Sequence, residues 1–321
     1  MKALVFGITG QDGTFLSQHL IKKGYKVCGV ARGGATDYFN NLKLLKVDQP
    51  ENIEIVNFDV SDFYKVNELI LSFKPTEIYN LSGQASVGLS YKQPFEAIDS
   101  IVNGTLNVLE SIRNQNKQVR FYNAGSGEVF GDTRGEAVRE NSDFNLKSPY
   151  AVAKASAYNL VKSYRETYGI FACTGLLFNH ESNLRPVNYV TKKIVKAAHN
   201  ISLGNSDSLV LGNTNIYRDW GWAPEYVESM WLMLQSEFPF DFIVSTGRSE
   251  SLSYFIQKVF EWFNLDFNEY LIEDIKLFRP FDAPYNGGNP ENIYKSLGWK
   301  AKIDIDGLIQ KLCSAEAANK Y

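Results

Sequence analysis

A chain of 321 residues with 44% hydrophobic and 21% charged side chains can bury one large core or two ordinary ones and is too apolar to stay disordered. Its net charge of −3 is spread without a basic tract or an acidic tail, which argues against a nucleic-acid partner. No apolar stretch reaches membrane-spanning length and the N-terminal MKALVFGITG lacks a signal-peptide core, so a cytoplasmic protein with no membrane partner is expected.

The first half alternates short apolar runs with longer amphipathic ones. KALVF, YKVCGV, IEIVNF, EIYNL and VRFYNA read as strands, and helical patterns fall between them near residues 13–23, 61–73 and 94–115. That alternation predicts parallel βαβ units and an α/β, Rossmann-like doubly wound sheet. After IFACTGLLF (170–178) the rhythm breaks. Residues 179–221 read as loop-rich, with a helix near 188–200; a helix at 224–236, a strand at 241–244 and a helix at 251–263 follow. In the last of these Leu252, Phe255, Ile256, Val259, Phe260 and Phe263 recur at helical spacing, the mark of a core face. Helices near 290–297 and 305–316 close the chain. The expected division is a cofactor domain from 1–178 and about 210–244, with a smaller α/β substrate domain from about 179–209 and 245–321.

Cys28, Cys173 and Cys313 are odd in number and far apart, as buried free thiols would be. His19, His180 and His199 have no metal-ligand spacing, so no metal is expected.

GITGQDG follows the first strand with Gly7, Gly10 and Gly13. The first glycine permits a tight turn, the second lets backbone approach a pyrophosphate, and the third lets the helix pack on the sheet. A helix N-terminus placed there favours the anion. At the end of the second strand CGVARGG offers Arg32 and no acid until Asp37. An arginine there suits the 2′-phosphate of NADP, although a solvated strand-end arginine has the same appearance. Asp59, in FDVSD, can meet the adenine or cap the next helix with Ser61.

SPYAVAK (148–154) places Tyr150 and Lys154 one turn apart behind a Ser148 cap and Pro149. A tyrosine is a poor base near its reference pKa of about 10, and a neighbouring ammonium stabilises its phenolate. Upstream, NAGSGEVFG (123–131) sets Ser126 and Glu128 among three glycines at a strand end. Those glycines read as room for substrate against the backbone. Gln84 and Ser86, in LSGQASV, follow the fourth strand at the same sheet edge, where they either meet ligand or cap a helix.

These pieces, with PTEIYNLSGQASV, YRETYGIFAC, LLFNHES, YRDWGWAPEYVE and LFRP, resemble the GDP-mannose 4,6-dehydratase family of extended short-chain dehydrogenase/reductases along nearly the whole chain. The resemblance implies NADP, contacted by the glycine loop with Thr9, Gln11 and Asp12, and by Arg32, Asp59, Val60, Leu81, Gln84, Tyr150, Lys154, Asn179 and His180. It implies that Tyr150 takes the 4-hydroxyl proton, Ser126 holds the 4-oxygen where the family has threonine, and Glu128 removes the proton on carbon 5. Ser86, Asn179, Lys193, Arg218 and Arg279 would contact the GDP-sugar, with Arg218 expected in a turn beside Asp219 and Trp220 and Glu181 ordering its loop. The lysines at 192, 193 and 196 also fit a solvated helix face.

The family's second arginine after strand two is Gly33 here, NLRP (183–186) replaces a more basic run, and the segment before LFRP is short. The resemblance implies a homodimer through the helices near 94–115 and 149–168; Gly33 leaves the family tetramer open, and NLRP points to a sugar pocket that takes a relative of mannose. The alternatives are the same chemistry on another GDP-sugar such as a GDP-heptose, a GDP-4-keto-6-deoxy-sugar reductase, and a non-catalytic NADP-binding module.

Overall fold

The computed structural model describes residues 1–33, 36–47, 53–115 and 118–318. In chain order the elements begin β1 (Lys2–Phe6), α1 (Gln11–Lys22), β2 (Lys26–Ala31), α2 (Thr36–Leu44), β3 (Ile53–Asn57), α3 (Phe63–Phe73), β4 (Glu77–Asn80), α4 (Val87–Ser90) and α5 (Pro94–Ile98). A π turn (Asp99–Asn103) joins α5 to α6 (Gly104–Gln115), then come β5 (Arg120–Ala124), a 3₁₀ turn (Gly127–Phe130), α7 (Pro149–Tyr168) and β6 (Ala172–Leu177). The remainder is β7 (Asn179–Glu181), α8 (Val190–Ser202), β8 (Leu209–Leu211), β9 (Tyr217–Trp222), α9 (Ala223–Gln235), β10 (Phe242–Val244), β11 (Ser249–Ser251), α10 (Leu252–Trp262), β12 (Leu271–Glu273), β13 (Tyr285–Asn286), α11 (Glu291–Leu297) and α12 (Ile305–Ala318).

The large sheet runs β10-β6-β5-β4-β1-β2-β3, parallel at every pairing. The order reverses between β1 and β4, the switch point at which such sheets hold ligands beyond their carboxyl ends. β1 shows why its sequence makes a central strand. Ala3 and Val5 join one apolar layer and Leu4 and Phe6 the other, all of them wholly buried. A strand covered by helices on both faces needs apolar side chains at every position.

α7 begins where Ser148 Oγ accepts the Ala151 N–H at 3.0 Å with Pro149 in the first turn, and it ends at Gly169, whose φ of +66° suits the left-handed cap. The sequence pattern here is thus a start and a stop as well as a helix.

The second half builds its own apolar layer from α8, α10 and α12, closed over Trp220 of β9. The segment read as loop-rich contains three strands. β7 pairs with β9, β9 sits between β11 and β13, and β8 pairs with β12. β7 and β8, three residues each, are too short to show a period of two, and the six residues of β9 are interrupted by the charges of Arg218 and Asp219. Residues 209–222 therefore pair with strands of the second half, whereas α9 packs on α1 and β10 joins the large sheet. All three cysteines are buried and free, and among the described residues no helix is long and apolar enough to cross a membrane.

Candidate active site

A cleft of about 710 Å³ runs along the carboxyl edge of β1, β2 and β4. Gly7, Thr9, Gly10, Gln11, Asp12, Gly13, Arg32, Asp59, Val60, Leu81, Gln84 and Ser86 all line it. The three glycines meet three separate demands. Gly7 has φ +82° and a Cβ there would lie 2.8 Å from Leu81 O; at Gly13 it would lie 2.3 Å from Gly7 O, so α1 packs directly on the loop. At Gly10 an added Cβ would meet only Gly7 O at 3.3 Å, so this backbone is open on its cleft side.

Two observations say that these residues fit a dinucleotide. The glycine loop leads into α1 with Gly10 as an N-cap that makes no side-chain cap bond, leaving helix N–H groups for a phosphate. Gln84 is buried against the cleft, yet neither its amide nitrogen nor its oxygen has a partner within the protein. A buried amide in that condition calls for a ligand group.

Not every expected contact is free to serve. Gln11 donates to His180 O at 3.1 Å and accepts from Ser182 Oγ at 2.7 Å. His180 is buried with both ring nitrogens on acceptors, Nδ1 on Phe178 O at 2.7 Å and Nε2 on Asp12 Oδ2 at 2.8 Å. Burial disfavours a charged imidazole, but the Asp12 carboxylate outweighs it and raises the His180 pKa above its ordinary value. The Gln11 and Asp12 side chains thus tie the glycine loop to β7. Asp59 Oδ1 accepts the Ser61 N–H at 3.0 Å, while the cap of α3 is Asp62, accepting from Lys65 N at 3.2 Å; Asp59 and Ser61 do not cap that helix. Ser86 both lines the cleft and caps α4 through Leu89 N at 3.2 Å. Arg32 pairs with Glu96 and lies 4.0 Å from Asp59; the Asp37 side chain lies outside the described residues.

Away from the glycine loop, β5, the turn after it and α7 bring Ser126, Glu128, Tyr150 and Lys154 together. Tyr150 is buried with the Ser126 side chain close enough to act on its phenol, and Lys154 Nζ lies 5.7 Å from the centre of the Tyr150 ring. The Lys154 ammonium donates to Ala124 O at 2.8 Å, the last residue of β5. Burial pushes the Tyr150 phenol well above its usual pKa, with Ser126 working in the opposite direction. It also pulls Lys154 down to about 8, against the attraction of Asp12. Burial thus keeps the Tyr150 phenol protonated in this environment.

Ser126 also caps the 3₁₀ turn, its Oγ accepting the Glu128 N–H at 3.2 Å. The turn aims Glu128 into a small pocket shared with Tyr91, Arg279 and Asp282. Glycines 125, 127 and 131 do not make room for substrate. A Cβ at Gly125 would lie 2.7 Å from Thr174, at Gly127 2.9 Å from the Phe178 ring, and at Gly131 2.5 Å from Asn145 O. The protein itself fills those spaces, so the glycines admit close packing beneath the turn.

On the substrate side Arg218 lies in strand β9, not in a turn, and is buried. Its guanidinium donates to Asp282 Oδ1 at 2.6 Å and to Ala283 O at 2.7 Å, and Arg279 approaches the same carboxylate at 3.7 Å. Neighbouring Asp219 is also buried and accepts three consecutive N–H groups, from Thr246, Gly247 and Arg248. Charged residues can occupy a buried strand because each is paired; their polarity is what made the segment read as a loop. Asn179, in β7, and Lys193, whose Nζ donates to Val210 O at 2.6 Å, are not among the residues lining either pocket. Glu181 is buried and binds Arg185 at 3.1 Å and Thr191 at 2.7 Å, ordering the loop after β7.

Two residues join the site without having been singled out by pattern. Arg185 lines the cleft, stacks 3.9 Å over Tyr189 and lies within electrostatic reach of Tyr150 and Asp12. Its signal was its place in NLRP just after LLFNHES. Asn286 of β13 donates to Gly127 O at 3.1 Å and Gly131 O at 3.0 Å, bracing the turn that carries Glu128. A lone asparagine far along the chain offers no local cue. Among the described residues no cluster of histidine, cysteine and carboxylate could hold a metal.

The parallel sheet, its glycine loop and the buried tyrosine–lysine pair define an extended short-chain dehydrogenase/reductase, a Rossmann-fold class that binds a nucleotide cofactor. Solved structures share the architecture at identities that speak for fold alone. They include a dTDP-glucose 4,6-dehydratase of Bacillus anthracis in complex with NAD (TM-score 0.86, 18% identity, 99% of this chain and 97% of that one) and a UDP-glucuronic acid 4-epimerase of Bacillus cereus (TM-score 0.88, 17% identity, 100% of both). Within the class, the model of the family GDP-mannose 4,6 dehydratase matches residues 4–312. GDP-mannose 4,6 dehydratase 1 of Arabidopsis thaliana is 38% identical over 319 residues, 97% of this chain and 88% of its own length. The human GDP-mannose 4,6 dehydratase is 34% identical over 337, covering 98% and 91%. The chain belongs to the GDP-mannose 4,6-dehydratase family.

Proposed function

We propose that this enzyme of the GDP-mannose 4,6-dehydratase family converts GDP-mannose to GDP-4-keto-6-deoxymannose with NADP as a hydride carrier that is restored in each turnover. The observation that carries the reading is the placement of Glu128 in the turn that Ser126 caps, its N–H on Ser126 Oγ at 3.2 Å, with both side chains acting on the Tyr150 phenol. An epimerisation at carbon 4 needs only the tyrosine and the hydroxyl. Elimination needs a second proton acceptor, and a carboxylate beside the same sugar supplies it.

When bound, the nicotinamide dinucleotide supplies a reversible hydride acceptor. Tyr150 takes the proton of the 4-hydroxyl as carbon 4 is oxidised, and Ser126 hydrogen-bonds the 4-oxygen. Lys154, held by Ala124 O, keeps a positive charge beside the phenol so that its phenolate becomes accessible. The 4-ketone acidifies the hydrogen on carbon 5. Glu128 removes that proton and hands one to the 6-hydroxyl, which leaves as water. Hydride delivery to carbon 6 and proton return to carbon 5 complete the product, with no net redox change. Arg218 and Arg279, converging on Asp282, frame the end at which fixed guanidinium donors suit a diphosphate. Arg32 lines the cleft at the end of β2, where a guanidinium can meet the 2′-phosphate of NADP.

A homodimer in the cytoplasm accords with the exposed faces of α5 and α7, where Phe95 is 91% exposed beside Ile98 and Val152. The test is incubation of the protein with GDP-mannose and mass spectrometry for loss of one water. Replacing Glu128 with Gln is expected to lower turnover about 100-fold or more while leaving nucleotide binding intact. Unchanged turnover would remove Glu128 from the chemistry. Product from a GDP-heptose but not from GDP-mannose would redirect the substrate assignment.

A further inference from the structure

The adenosine end of the cleft carries a charge arrangement that the arginine alone does not disclose. Arg32 lines the cleft at the end of β2, and its guanidinium is engaged from behind by Glu96 of α5. Asp59, which lines the same stretch of cleft, stands 4.0 Å from the same nitrogen. Asp59 is fixed by its bond to Ser61 N, and α5 is anchored by Ser100 Oγ on Glu96 O at 2.6 Å. Among the described residues these two carboxylates are the ion-pair partners of Arg32, so one positive charge meets two negative ones.

We infer that Glu96 sets the cofactor balance: by setting a negative charge against Arg32 it opposes the 2′-phosphate, so that the cleft takes NAD and NADP with comparable affinity. The inference rests on the reading of Arg32 as the group facing the 2′-phosphate. A 2′-hydroxyl needs one hydrogen bond, which a guanidinium already paired with Glu96 still gives from its other N–H groups. A phosphate dianion needs net positive charge, and among the described residues Arg32 with Glu96 and Asp59 sums to −1. Arg32 and Glu96 are 58% and 40% exposed, so the pair itself is weakly held and contributes little to orienting the arginine. The dominant consequence of Glu96 is therefore its charge, felt by a dianion and not by a hydroxyl.

The test is calorimetric titration of the full-length protein, cleared of co-purified nucleotide, with NADP⁺ and with NAD⁺ at fixed ionic strength. Glu96→Gln is expected to tighten NADP⁺ roughly tenfold, as for removal of one close like charge, and to leave NAD⁺ within about twofold. The parent protein is expected to bind the two within about tenfold of each other. Arg32→Ala separates the two layers. If it weakens NADP⁺ selectively while Glu96→Gln changes neither Kd, the arginine reading stands and the role of Glu96 is overturned. If Arg32→Ala leaves NADP⁺ binding unchanged, the arginine reading fails and this inference falls with it. A parent protein that already prefers NADP⁺ 100-fold would also overturn it.

Discussion

Lys154 is the residue whose removal should stabilise the protein and disable it. It is buried beneath Tyr150 with its ammonium on Ala124 O at 2.8 Å, and burial lowers its pKa from 10.5 to about 8. That gap corresponds to about 3 kcal/mol of folding free energy forfeited whenever the lysine is protonated in both states. The sign follows from proton counts. Between pH 8 and 10.5 the unfolded chain binds more protons at this lysine than the folded one does. The penalty is thus full below pH 8 and fades as pH rises to 10.5. Lys154→Met removes it, but also leaves Ala124 O without its donor, at about 1 kcal/mol. A net gain of about 1–2 kcal/mol at pH 7 is expected from urea unfolding without added nucleotide, vanishing by pH 10.5. Turnover should fall by a factor of about 100 or more. A variant less stable than the parent at pH 7, or an advantage that persists unchanged at pH 10.5, would refute the reasoning.

The glycine loop allows a paired comparison. Gly13→Ala, which would set a Cβ 2.3 Å from Gly7 O, should lower unfolding free energy by about 2 kcal/mol or more, whereas Gly10→Ala, with its Cβ 3.3 Å from Gly7 O, should cost less stability and weaken dinucleotide binding on titration. The His180–Asp12 pair has a pH signature. Because its folded pKa is raised, His180 contributes stability that is full below pH 6.5 and lost as pH rises through the higher folded value. His180→Phe should erase that part of the stability–pH slope in parallel urea titrations.

Legibility followed the length of the local pattern. β1, α7 and α10 were readable because each repeats its apolar period over several residues or carries its own caps, as Ser148 and Gly169 do for α7. The glycine loop and the Tyr150–Lys154 pair were readable because their chemistry is confined to seven consecutive residues each. β7 and β8 were not, since strands of three residues exist only through partners distant in sequence, and β9 was hidden by the charges of Arg218 and Asp219. Arg218 misled for a related reason. In sequence it is an arginine beside an aspartate, the composition of an exposed turn, and only Asp282, 64 residues away, accounts for its burial. Asn286 braces the Gly127–Phe130 turn across more than 150 residues of chain, and no local rule connects them. The glycines of NAGSGEVFG were noticed for the right strand and explained by the wrong neighbour, protein in place of substrate.

The central claim is that Glu128 exchanges a proton at carbon 5 during elimination. Turnover of GDP-mannose in deuterium oxide, followed by mass spectrometry and proton NMR of the product, tests it most directly. The account predicts a 4-keto-6-deoxy sugar that has lost one water and carries a solvent deuteron at carbon 5, with the hydrogen originally on carbon 4 now on carbon 6. A product that retains the original hydrogen at carbon 5, or one that has kept its 6-hydroxyl, would contradict it.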